Sequence, residues 1–101
     1  MRIDEEMIRE ALRCVVDPEL HLNIIDLGLV YAIDQPADGE VQITMTLTTP
    51  GCPIGSTLVQ AVERVLAPIP GVKRVQVNLT FEPRWGPERI SAAGRAKLGF
   101  V

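Results

Sequence analysis

Two hydrophobic periods run along this chain, and the points where one gives way to the other mark its elements. Near the start, Met7, Ile8, Ala11, Leu12 and Val15 recur at helical spacing. Asp4 stands before them as an N-cap, with Glu5 and Glu6 in the first turn, where the helix dipole favours carboxylates. Ile3 and Ile8 have the spacing of a hydrophobic staple. Pro18 limits the helix, because the residue before a proline is pushed out of the helical region. The period then changes to two. Leu27, Leu29, Tyr31 and Ile33 alternate with other residues up to Asp34, and Val41, Ile43, Met45 and Leu47 alternate with Gln42, Thr44, Thr46 and Thr48. These read as two strands joined by the turn-rich QPADG, hence an antiparallel hairpin.

Helical spacing returns with Ile54, Leu58, Val59, Val62, Val65, Leu66 and Ile69, and Pro68, Pro70 and Gly71 end that helix. Val75, Val77, Leu79 and Phe81 alternate with Gln76, Asn78 and Thr80 as a third strand. The tail from Pro87 to Leu98 reads as a weaker helix, with Gly94 inside it and Gly99 as its C-cap. The order is therefore α-β-β-α-β-α. A helix joins the second and third strands, so they are expected to run parallel. The expected architecture is α+β: a two-layer sandwich with helices over one face of a three-stranded mixed sheet.

Composition narrows the function classes. The 101 residues fit one domain, residues 1–101, with 47% hydrophobic and 23% charged side chains, so disorder and fibrous repeats are excluded. Ten basic and 13 acidic side chains give a net charge of −3 with no block of like sign, so no nucleic-acid partner is expected. The N-terminus MRIDEEMIRE has no signal-peptide core, and no run approaches the roughly 20 apolar residues of a membrane helix. Two cysteines, Cys14 and Cys52, make no disulfide framework. A reducing, cytoplasmic setting is expected.

The candidate chemistry gathers at one end of the sheet. In the predicted hairpin, Leu27 lies across from Leu47 within a residue or two, which puts Asp26 near Thr48 and Thr49. The loop DPELHLNIID (17–26) is at that end, and a parallel third strand delivers Glu82, Pro83, Arg84 and Trp85 to it. Open sheets with crossovers bind ligands at the carboxyl ends of their strands, often against a helix N-terminus. Pro53 suits a first helical position, so Cys52 falls at the N-cap, where free amides and the dipole favour thiolate over thiol. A thiolate is both nucleophile and soft metal ligand. The plainer account of a free cysteine is a small buried hydrophobe, but the Gly51 and Pro53 framing favours a working thiol.

The neighbours are weighed in the same way. Asp17, Glu19, Asp26 and His21 could orient or deprotonate the thiol or help hold a metal. They could equally be loop residues, and for His21 that account is preferred because no spacing ties it to Cys52. Thr48 and Thr49 could donate hydrogen bonds, although strand propensity suffices for Thr48. Trp85, the only tryptophan, could anchor a partner together with Arg84, or could close one end of the core. Cys14, close to the apolar stripe of the first helix, reads as structural. A lone cysteine is no metal site, since zinc and iron–sulfur sites usually need three or four ligands. No cofactor permanently bound in the monomer is expected.

The segments DPELHLNIIDLGLVY, MTLTTPGCP and VNLTFEPRW, followed by ISAAGRAKLG, resemble the MIP18 family, also called the domain-of-unknown-function 59 family, over nearly the whole chain. That family includes iron–sulfur assembly proteins of the SufT type, a eukaryotic cytosolic iron–sulfur targeting factor and a phenylacetate-oxygenase accessory protein. The resemblance implies a fold like the iron–sulfur cluster assembly domain and a role in maturing or delivering metal–sulfur clusters. It marks Cys52 as the reactive residue, carries over Asp17, Glu19 and Asp26 as site members, and carries over Thr49 and Trp85 more weakly. Members of that family are often dimeric, so a homodimer is compatible with the resemblance. The oxygenase accessory members carry a longer, cysteine-bearing C-terminal extension that does not follow Val101, so that role is not expected. The paired cysteines of NifU-type scaffolds are also missing.

The expected function is a non-enzymatic accessory factor in iron–sulfur cluster assembly or delivery, with Cys52 binding iron or a cluster transiently. Its partners would be assembly machinery or client apoproteins. The rival readings are a thiol or redox enzyme using Cys52 with His21 or Asp26 as base, and an interaction module working through Trp85.

Overall fold

A computed structural model describes residues 3–48 and 55–99. Helix α1 spans Glu5–Leu12, and the Asp4 carboxylate accepts the Glu6 amide as its cap. Ile8 and Leu12 are fully buried, while Met7 of the predicted stripe is 49% exposed. The helix stops at Leu12, well short of Pro18, because Cys14 and Val15 leave it as turns and Val16 enters a short strand. That strand, β1 (Val16–Asp17), pairs antiparallel with β2 (Leu22–Asn23), so the segment read as one long loop contains a hairpin of its own.

The main sheet has the order β3-β4-β5, with β3 (Val30–Asp34) antiparallel to β4 (Glu40–Met45) and β5 (Arg74–Leu79) parallel to β4. Strand β4 alternates cleanly, with Val41, Ile43 and Met45 buried between half-exposed neighbours. The first predicted strand is corrected at its start. Leu27 and Leu29 are fully buried but precede β3, because Asn23–Leu29 runs through successive turns in which Gly28 adopts φ +76°. A bulge between Val30 and Ala32 then shifts the register. The hairpin register still comes close to the expectation: Val30 faces Met45, and the Thr46 amide donates to Leu29 O at 2.8 Å.

Helix α2 covers Gly55–Leu66 and buries Leu58, Val62 and Leu66. It packs against α1 and β5. These residues join Ile8, Leu12, Leu22, Ile24, Leu27, Leu29, Val41, Ile43 and Met45 in one core. Each such side chain contributes on the order of 1.5–3 kcal/mol when fully buried.

Two further expectations are corrected past β5. Leu79 and Phe81 are exposed, at 42% and 38%. The tail is not one helix. Pro87–Arg89 forms a 3-10 turn, Ile90 is extended, and Ser91 caps a separate α3 (Ala92–Leu98) that ends on Gly99 at φ +83°. Helix α3 packs chiefly against β2 rather than over the sheet. No helix among the described residues is long and apolar enough to cross a membrane.

Candidate functional site

The DPEL sequence folds as its chemistry dictates. Asp17 starts the β1–β2 turn and Pro18 follows it, the usual placement of these two residue types in a turn. Asp17 is 1% exposed, and its Oδ1 accepts the amides of Glu19 at 2.8 Å and Leu20 at 3.2 Å. The Asp17 carbonyl accepts the His21 amide, and His21 closes the turn at φ 57° with its side chain exposed. Asp17 thus shapes the turn from beneath and presents Glu19 and Leu20 outward.

Those two residues line a cleft of about 380 Å³ with Thr48, Trp85, Pro87, Ile90 and Leu98. It sits where the turn between β1 and β2, the segment after β4 and the segment after β5 meet. Trp85 is half-buried against the core and donates its indole N–H to Leu27 O at 2.7 Å. Arg84 beside it is exposed. The structure therefore brings Glu19, Thr48 and Trp85 together around one cleft.

Asp26 is turned elsewhere. Its Oδ2 accepts from Asn23 Nδ2 at 2.9 Å, its Oδ1 accepts from Ser91 Oγ at 3.1 Å, and its carbonyl accepts the Ser91 amide at 2.7 Å. Asn23 Oδ1 in turn accepts the Asp26 amide at 2.8 Å. Asn23 and Ser91 escaped the sequence reading, although a serine ahead of AAGRAKLG is an N-cap signal. Ile90 and Leu98, apolar residues of the cleft, could not be assigned to it by periodicity.

Thr49 and Cys52 lie outside the described residues. The chain that carries them leaves at Thr48, on the cleft, and returns at Gly55. A Cβ added at Gly55 would sit 3.0 Å from Leu47 Cδ1, so the two ends of that segment are held side by side. Cys14, the other thiol, is not the structural residue expected of it: it lies in the turn after α1 and is exposed, because the helix stops at Leu12 before the apolar stripe reaches it. Among the described residues no group of three or more His, Cys, Asp or Glu side chains is arranged to hold a metal ion.

A three-stranded mixed sheet backed by helices, with a cleft beyond the carboxyl ends of β4 and β5, defines a small α+β domain of the cluster-assembly type. The chain belongs to the iron–sulfur cluster assembly protein family, whose model matches residues 5–79. It is 42% identical over 101 residues to the Fe-S protein maturation auxiliary factor of Porphyromonas gingivalis, covering 100% of this chain and 95% of that protein. It is 39% identical over 85 residues to the Fe-S protein maturation auxiliary factor SufT of Staphylococcus aureus, covering 84% and 97%. Among solved structures, a domain of unknown function DUF59 from Bacillus anthracis matches with TM-score 0.89 and 37% identity over 96% of this chain and 92% of that one. The resemblance carried by DPELHLNIIDLG and TTPGCP and the α+β fold class are both upheld.

Proposed function

We propose that this protein is a cytoplasmic accessory factor in the maturation of iron–sulfur proteins, acting as one domain through the thiolate of Cys52. The observation that carries the reading is the cleft: Glu19, Thr48 and Trp85 meet there, and the TPGCPI segment departs from its edge at Thr48. The relatives named as Fe-S protein maturation auxiliary factors give the chemistry its object. Cys52 precedes Gly55 of α2 by three residues, close enough in sequence for the helix N-terminus to favour the thiolate.

In this reading iron or an iron–sulfur cluster is cargo. The Cys52 thiolate is a soft ligand for iron, and the remaining ligands come from a client apoprotein, the assembly machinery or a second copy of this chain. Asp17 holds the β1–β2 turn that presents Glu19, while Thr49 precedes the thiol by three positions. Trp85 and the exposed Arg84 form the adjoining contact surface for the partner. The thiol-enzyme alternative draws less support from the two bases it names: both Asp26 oxygens are engaged by Asn23 and Ser91, and His21 is exposed on the β1–β2 turn.

The test is anaerobic reconstitution with iron and sulfide, wild type beside Cys52→Ser, read by visible absorption and bound iron. Serine keeps the shape and removes the soft ligand. Chromophore in the wild type alone is the expected result. Equal chromophore in both proteins, or none in either, overturns the role given to Cys52.

A further inference from the structure

Strand β5 is an edge of the sheet: β4 lies on one side of it, and no strand among the described residues lies on the other. The Arg74 amide donates to Gly39 O and the Thr80 amide to Met45 O, which sets the phase of pairing with β4. The backbone N–H and C=O groups of Val75, Val77, Leu79 and Phe81 therefore point the other way, along the free edge. Such an edge is a template for another strand unless charge, proline or a bulge blunts it. Residues 75–81 carry no charge and no proline, and the register of β5 with β4 has no bulge. The chain turns only past Phe81, where the Glu82 amide folds back to Thr80 Oγ1 at 3.3 Å.

The side chains of this edge are self-complementary. Val75 and Val77 pack on the core, and alternation puts Leu79 and Phe81 on the same face. Those two are the exposed apolar residues past the core end of β5. Beside Val75, between β5 and the end of α2, lies an open groove of about 260 Å³, lined by Ala67 and Val72 together with Glu63, Lys73 and Arg74. A two-fold axis normal to the sheet keeps every side chain on its own face, so an antiparallel pair of β5 strands has one residue on the axis. With Asn78 there, Val77 lies opposite the partner's Leu79, Val75 opposite the partner's Phe81, and Arg74 opposite the partner's Glu82. The exposed phenyl ring then reaches the groove beside Val75, and opposite charges meet at both ends. The neighbouring registers lose this match. Centring on Val77 sets Phe81 opposite the partner's Lys73, and centring on Leu79 sets Arg74 opposite the partner's Arg84.

We propose that the β5 edges of two copies of this chain join antiparallel about Asn78, with Phe81 of each copy seated in the groove between α2 and β5 of the other. The two sheets become one, with the helices of both copies on the same face. The carboxyl ends of the two β5 strands point in opposite directions, so each copy keeps its own cleft. The surface is separate from Cys52, and the inference does not depend on the role given to that thiol. One strand edge is a small contact, so the pair is reversible, with a dissociation constant on the order of 10 μM. Dilute protein is the single chain, in which Leu79 is exposed.

The test is sedimentation velocity of the full chain in reducing buffer across about 1–500 μM. The wild type passes from one copy to two. Phe81→Ala raises the dissociation constant about tenfold. Arg74→Glu and Glu82→Arg each set like charges opposite one another and raise it about tenfold, while the double variant restores it. The Arg74–Glu40 contact within one chain, at 3.6 Å and exposed, has no part in that restoration. A single copy at every concentration overturns the proposal and leaves the β5 edge to a strand of another protein. A dissociation constant untouched by Phe81→Ala, or a double variant no tighter than the single ones, also overturns it. The register is read by oxidation in a chain carrying Cys14→Ser and Cys52→Ser. Asn78→Cys crosslinks two copies, because residues at the axis lie about 4.5 Å apart, and Gln76→Cys does not. If a charge variant does not fold, the crosslink decides: that pattern supports the proposal and any other overturns it.

Discussion

Trp85 donates its indole N–H to the carbonyl oxygen of Leu27 at 2.7 Å, a bond that ties the segment after β5 to the turn before β3 across 58 positions of sequence. The same ring lines the cleft and packs on the core, so one side chain closes the end of the sheet and forms part of the candidate site. Trp85→Phe keeps most of the apolar contact and leaves Leu27 O without this donor, at a cost of about 1 kcal/mol. Trp85→Ala also opens the half-buried site and costs about 2–3 kcal/mol. Urea unfolding of the two variants separates the contributions.

Asp17 supports a second prediction. Its buried Oδ1 receives two backbone amides of the turn that presents Glu19 and Leu20. Asp17→Ala leaves both amides without their acceptor and lowers stability by about 2 kcal/mol. Asp17→Asn offers an oxygen of the same shape and costs less than about 1 kcal/mol. Denaturant midpoints and the exchange rates of the Glu19 and Leu20 amides check the pair. Rapid exchange confined to those two amides in Asp17→Ala shows that the carboxylate acts locally.

Gly28 and Gly99 share a backbone conformation but not an environment. Both have positive φ, at +76° and +83°, where a side chain is strained. A Cβ at Gly28 would fall 2.3 Å from Arg89 O, whereas one at Gly99 meets nothing within 4 Å. Gly99→Ala should cost about 1 kcal/mol, the conformational penalty alone. Gly28→Ala adds displacement of the Arg89 backbone and should cost about 3 kcal/mol or more. Thermal unfolding of both variants, with Trp85 fluorescence reporting on the neighbouring segment, distinguishes them.

What the sequence made legible follows from how local each determinant is. Strand β4 and helix α2 announce themselves because one face of each is buried along its whole length. Asp4, Asp17 and Gly99 act on backbone groups within a few positions. The start of β3 is hidden in the sequence because Leu27 and Leu29 are buried ahead of the strand, and two buried residues at that spacing mimic strand alternation. The bulge after Val30 has no local signature. The bond between Asp26 and Ser91 spans 65 positions, so only the folded chain shows that the carboxylate faces α3. At the cleft, the convergence of Glu19, Thr48 and Trp85 was predictable from strand directions. The contributions of Ile90 and Leu98 were not, because α3 leaves the sheet and packs on β2.

Met45 and Leu79 give the last prediction. They are partners in the parallel register of β4 and β5, and alternation along each strand assigns both to the core. Met45 is fully buried, yet Leu79 is 42% exposed. The difference arises because β4 is central in the sheet and β5 is an edge strand that ends at Leu79. Met45→Ala therefore leaves a cavity and should cost about 2–5 kcal/mol. Leu79→Ala removes a side chain that water already reaches and should cost about 1 kcal/mol or less. Equilibrium unfolding in urea measures both at once. A loss at Leu79 as large as that at Met45 would mean that the exposed end of β5 is covered in solution, and concentration-dependent unfolding of the wild type would then identify the cover as a second copy of the chain.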